Sequence, residues 1–201
     1  MFTCWEPDGS LGAISAERRF ERSAWYWSAV VGAGRPVLHV TEWNVPLRPT
    51  APTVLKAHEL WAEHECVVPM GQWTIGNECY AAALDDPDDG RGRAYGTPTP
   101  VAFDLEWYAV AAPTALPGDG GSGYTQDGVV HGLIEAPGGH LDMTEAPARR
   151  WHRWGSDVAP LALPDAYAHA GARAVFAFPD GSETDWALTP DGFRARRGQR
   201  R

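Results

Sequence analysis

No stretch of this chain approaches the roughly eighteen consecutive apolar residues that a membrane-crossing helix requires, so a helical span is excluded. Basic residues are also scarce. The 17 Lys and Arg stand against 26 Asp and Glu, and a formal charge of −9 repels a phosphate backbone, which removes nucleic acid as a partner. The one basic cluster, Arg194, Arg196, Arg197, Arg200 and Arg201, reads as a solvated tail. Cysteine is sparse as well. Cys4, Cys66 and Cys79 are widely separated and form no CxxC pair, which argues against a disulfide framework and suits reduced thiols in a cytosol. Near the start, Glu6, Pro7 and Asp8 occupy ground where an export signal needs a basic start and a continuous apolar stretch. The expected location is therefore cytoplasmic. GxSxG, GxxxxGK and a GxGxxG after a strand are all missing, so a nucleophile-elbow hydrolase, a P-loop enzyme and a Rossmann dehydrogenase lack support. No cofactor or metal is expected.

What the chain does have is a 44% hydrophobic composition interrupted by 22 Gly and 17 Pro, apolar enough to fold but punctuated too often for long helices. Short runs of Val, Trp, Tyr, Phe and Thr lie between Gly, Pro and Asp clusters at hairpin spacing. Residues 100–111 are the clearest half-buried strand, because Val101, Phe103, Leu105 and Trp107 alternate with Ala102, Asp104, Glu106 and Tyr108. Further strands are expected over 25–31, 36–45, 73–84, 124–136 and 140–154, with a last hairpin at 174–178 and 183–188. Residues 54–67 read as one long strand between Pro52 and Pro69, with a helix as the competing assignment. The acidic run Asp85 to Gly90 reads as a solvated loop, since it lacks the spacing of a calcium loop. The expected fold is one all-β domain over residues 1–201. It is an antiparallel, lipocalin-like barrel or a strongly curved sandwich with meander connectivity, which limits exposed sheet edges. About the first fifteen residues and the last six are expected at its periphery.

Ten tryptophans are too many for core packing to be the only expectation. Indoles present flat apolar surface to an aromatic or polyene guest, and Trp43, Trp61, Trp73, Trp107 and Trp154 are the candidates to line a barrel pocket. The segment Glu59 to Glu65 mixes ionisable and aromatic residues most densely. If Glu59, Trp61 and Glu63 face inward, burial makes a carboxylate a general acid or base; if outward, they form a solvated face. His58, His64 and Cys66 share the opposite face, where a metal site lacks a second ligand pair.

Residues Gly128 to Glu135, with His131 before Gly132, form a G-x-x-H-G strand, and Arg150 to Gly155 follow. Together they resemble the strand pair of the AttH/CrtC-like, carotenoid hydratase-like branch of the calycin superfamily, whose second segment reads R-D-H-S-W-G. Arg150, His152, Trp154 and Gly155 match, while Trp151 and Arg153 replace the acidic and Ser positions. The resemblance covers about residues 124–155 and implies a lipocalin-like fold with a hydrophobic small-molecule ligand. Three functions follow. The first is a binding protein for an apolar or aromatic small molecule. The second is a cofactor-independent lyase, isomerase, hydratase or cyclase, pairing Glu59, Glu63 or Glu78 with His64 or His152. The third is a structural or oligomerisation sheet, with a homodimer as one arrangement.

Overall fold

The computed structural model describes residues 1–116, 122–155 and 172–197. Among these residues the chain is almost wholly antiparallel β: β1 Phe2–Trp5, β2 Leu11–Arg19, β3 Ser23–Gly32, β4 Val37–Pro46, β5 Val54–Lys56, β6 Leu60–Val68 and β7 Gln72–Leu84 come first. They are followed by β8 Thr97–Ala109, β9 Thr114–Ala115, β10 Ser122–Ala136, β11 Gly139–Trp154, β12 Arg173–Ala177, β13 Glu183–Thr189 and β14 Gly192–Arg197. No described helix is long and apolar enough to cross a membrane.

Two meanders, β1 to β4 and then β7, β8, β10 and β11, close into a ring of 8 strands, with β9 attached to β10 off the ring. One seam is β1 against β11, with Phe2 opposite Arg150; the other is β4 against β7, with Val37 opposite Leu84. Past Ala82, β7 gives up β4, and its first half pairs instead with β6, from Leu60 opposite Cys79 to Val68 opposite Gln72. Alternation decides what fills the ring. Val101, Phe103, Leu105 and Trp107 of β8 point inward, and Ile75, Asn77, Cys79 and Ala81 of β7 meet them. Gly132, at a bulge with φ of 125°, is required here, because a Cβ would lie 2.0 Å from the Asp104 carbonyl oxygen.

β12, β13 and β14 form a separate three-stranded sheet that covers the outside of the ring. Ile14, Ala16, Ala29 and Val31 point outward from β2 and β3 and pack against Phe176, Trp186, Leu188 and Phe193. Polar ties fix the sheet in place. Arg173 donates to both carboxylate oxygens of Asp185 at 3.1 and 2.8 Å and to Asp88 at 3.0 Å. His39 bonds the Val175 carbonyl at 3.0 Å, and Trp5 Nε1 donates to the Pro190 carbonyl at 3.2 Å.

Three expectations are corrected. The first fifteen residues are not peripheral: β1 completes the ring, and Ile14 is fully buried. Residues 54–67 are not one strand, since the chain turns at 57–59, where the Ala57 amide bonds the Leu60 carbonyl at 2.9 Å. The acidic run is not simply solvated: Pro87–Arg91 form a short 3-10 turn whose Asp88 pairs with Arg91 and Arg173. Of the last six residues, Arg196 and Arg197 belong to β14, and 198–201 lie outside the described residues.

Gly12 tests how tightly the outer sheet grips the ring. A Cβ there would lie 2.7 Å from the Phe193 ring and 3.0 Å from Leu188. Gly12→Ala should lower unfolding free energy in urea by about 1–3 kcal/mol through overpacking, and an unchanged midpoint would contradict this packing.

Candidate functional site

An eight-stranded barrel has an interior its own side chains can fill, and this one does so. Phe2, Ser15, Ile75, Phe103, Leu105 and Val130 surround a void of only about 10 Å³, room for a single water at most. A Trp-lined pocket inside the ring is therefore not what these residues build. Trp107 is fully buried, with Gly128 beneath it, where a Cβ would come within 2.4 Å of the indole. Trp73 stacks at the mouth of the barrel under the Arg150 guanidinium, 4.2 Å from the ring centroid.

The interior also holds a polar chain. His64 Nε2 lies 2.8 Å from Ser15 Oγ, Ser15 lies 3.0 Å from the Tyr26 hydroxyl, and Tyr26 donates to Asn77 Oδ1 at 3.1 Å. Asn77 Nδ2 in turn donates to Cys79 Sγ at 3.4 Å. Tyr26 has one proton and gives it to Asn77, so Ser15 donates to Tyr26 and accepts from His64. That order makes His64 a donor to Ser15, the reverse of what an activated serine needs. Behind it, His64 Nδ1 is 3.9 Å from Glu17 Oε1. Burial pushes His64 down to about 4 despite the Glu17 charge, and burial alone outweighs the Val175 bond to take His39 to about 4. For Glu17, burial opposes ionisation, but His64 and Arg19 prevail and hold the carboxyl below its usual range.

The sequence candidates are scattered over several places instead of one barrel pocket. Glu63 and His64 face opposite sides of β6, and Glu63 accepts a bond from Thr53 on the outside. Glu59, Trp61 and Glu78 line an open groove of about 710 Å³ together with the exposed Tyr80 and the core residues Leu60, Cys79 and Val101. His131 lies edge-on to Tyr108, and Trp43 joins Trp25 and Phe178 in an aromatic cluster outside the ring. No described cluster of three or more His, Cys, Asp or Glu could hold a metal.

Two further candidates converge elsewhere. His152 and Trp154, at the end of β11, border a cleft of about 380 Å³ between the barrel rim and the outer sheet. Trp27, Trp151, Trp186 and Phe178 supply the other aromatic walls, and Glu17, Arg18, Arg19 and Arg153 the charged ones. The walls pack edge to face: Trp151 on Trp186 at 5.9 Å and Trp27 on Phe178 at 5.0 Å. His152 stacks on Tyr124 at 5.6 Å, and burial with the nearby Arg150 charge lowers its pKa. Among the described residues, Trp27 Nε1, Thr184 Oγ1 and Trp186 Nε1 are shut off from water without a hydrogen-bond partner. The sequence reading missed Glu17, Arg18, Trp27, Thr184 and Trp186. No family model matches the chain, and no curated protein or solved structure proved similar to it.

Two outcomes are expected. Thr184→Val removes a buried hydroxyl that has no partner while keeping its shape, so the unliganded protein should gain about 1 kcal/mol in urea unfolding; a loss would mean the hydroxyl is bonded. His39 and His64 are held neutral, with folded values near 4 against a usual 6.5. The unfolded chain thus binds more protons as pH falls, and stability present above pH 6.5 is lost on the way to 4. Urea titrations across that window should show a slope approaching about 2.7 kcal/mol per pH unit for two protons, and a flat profile would contradict the buried neutral histidines.

Proposed function

We propose that this chain is a small-molecule binding protein whose flat, apolar or aromatic guest lies in the cleft between the barrel and the outer sheet. The observation that carries the proposal is what lines the space: indoles and a phenyl ring around about 380 Å³ in the cleft, against a single indole beside the larger open groove and about 10 Å³ in the void among Phe2, Phe103 and Val130. A cavity of a few hundred Å³ is the size a small-molecule site requires, and here the aromatic walls stand beside the charged Glu17, Arg18, Arg19 and Arg153. Trp154, half exposed at 50%, is the most accessible wall, and a guest covering it removes apolar area from water. The resemblance to calycins supports the same class of ligand through His152 and Trp154, although the guest sits beside the barrel and not within it.

An acid–base enzyme acting through the named glutamates finds less support. His64 and His152 have no partner among Glu59, Glu63 and Glu78, and among the described residues the carboxylate beside His64 is Glu17, held by Arg19.

Titration with 2-naphthol should quench tryptophan emission of the full chain. Trp154→Ala should weaken that binding by about tenfold, the scale of one lost aromatic anchor. Trp61→Ala, in the open groove that shares no residue with the cleft, should leave it unchanged. Equal affinity in the Trp154 variant, or no quenching at all, would overturn the assignment.

A further inference from the structure

The outer face of the sheet built by β6, β7, β8 and β10 shares no residue with the cleft, and its charge has one sign. These four strands contain no lysine or arginine. Alternation turns their apolar residues into the barrel and their carboxylates outward, and register sets the outward residues in rows. Trp61, Glu78, Ala102 and Glu135 lie side by side across the four strands, followed by Glu63, Gly76, Asp104 and Leu133. Glu65, Thr74, Glu106 and His131 make a third row. Glu63 and Glu65 on β6, like Asp104 and Glu106 on β8, therefore repeat a carboxylate about every 6.8 Å along a strand. Glu63 accepts from Thr53 and Glu106 from Tyr108, while His140 approaches Glu135 at 3.4 Å. Among the described residues the side chains of Glu65, Glu78 and Asp104 have no hydrogen bond or ion pair.

The same face carries aromatic rings. Gly76 has no side chain, and the Trp61 indole lies across it, where a Cβ would come within 2.6 Å of the ring. Together with Tyr80, 57% exposed, Trp61 walls the open groove, whose lining holds Glu59, Glu78 and Glu135 against Lys56 as its one lysine or arginine. At the neighbouring corner, burial and then the Glu59 charge hold the Glu42 carboxyl above its usual range. Solubility accounts for exposed carboxylates, but not for an indole and a phenol set among them. Rings beside carboxylates attract a cation through both the ring face and the charge.

We propose that this face docks an extended segment of a partner protein that carries lysine or arginine at alternate positions. Charge complementarity makes the occupant basic. The carboxylates spread over three rows and four strands, about 14 Å each way, which is broader than one small cation covers. An extended chain presents every second side chain on one side at the spacing that Glu63 and Glu65 repeat, so successive cations meet successive carboxylates. One of them sits against Trp61 and Tyr80 in the groove.

A fluorescein-labelled octapeptide of alternating lysine and threonine tests this by fluorescence anisotropy with the full chain at low ionic strength. It should bind, and its affinity should fall steadily as salt is added. The variant Glu65→Gln/Glu78→Gln/Asp104→Asn removes exposed charge alone and should weaken the peptide about tenfold. Trp61→Ala should weaken it as well, whereas Trp154→Ala should not, the reverse of their effects on 2-naphthol. Spermine, a flexible cation of the same charge as the peptide, should compete about tenfold less well than unlabelled peptide. That comparison and the salt series use the unaltered chain, so they decide the matter even if a variant fails to fold. Equal competition by spermine would overturn a chain-like partner. Absence of peptide binding, or equal binding by the triple variant, would overturn the docking face and leave the aromatic cleft as it stands.

Discussion

Burial of both faces of β2 and β3 is the constraint from which the rest of the structure follows. One face supplies Ala13, Ser15, Tyr26 and Val30 to the barrel interior, and the other gives Ile14, Ala16, Ala29 and Val31 to the outer sheet. A sheet strand buried on one side only would leave that second row of apolar residues in water, so the three-stranded sheet is part of the core. Where β2 and β11 run past the edge of that contact, the apolar surfaces part and the aromatic cleft opens between them. The same geometry accounts for the barrel being filled, since large residues are spent on both faces and Phe2, Phe103 and Trp107 close the centre.

The half-buried strands were legible because their chemistry alternates. β7, β8, β10 and β11 were read within a few residues of their ends, and the turn at Pro137 and Gly138 was visible as well. β1 and β2 were not. The run Leu11 to Ala16 is buried on both sides and made of small or apolar residues, so it shows no alternation that would mark a strand. The break at 57–59 was hidden for a different reason: Ala57, His58 and Glu59 carry no Gly or Pro, and the turn arises from where β6 must register with β7.

The site was half legible. His152 and Trp154 stood out through the resemblance and the aromatic run at the end of β11. Their neighbours in space, Trp27, Thr184 and Trp186, come from β3 and β13, and only the docking of the outer sheet brings those strands to the same rim. The ionisable cluster at Glu59 to Glu65 misled for a simple reason. Strand alternation shows that Glu63 and His64 face opposite ways, but it does not show which way is inward, and that was decided by Leu60 and Ala62 joining the core.

The central claim is that a guest enters the cleft and leaves the barrel interior untouched. The indole N–H signals of the ten tryptophans, resolved by proton–nitrogen correlation spectroscopy during titration with 2-naphthol, test it most directly. The account predicts shifts confined to Trp27, Trp151, Trp154 and Trp186, with Trp107 and Trp73 unmoved. Shifts centred on Trp107 and Trp73 would put the guest inside the ring and contradict it.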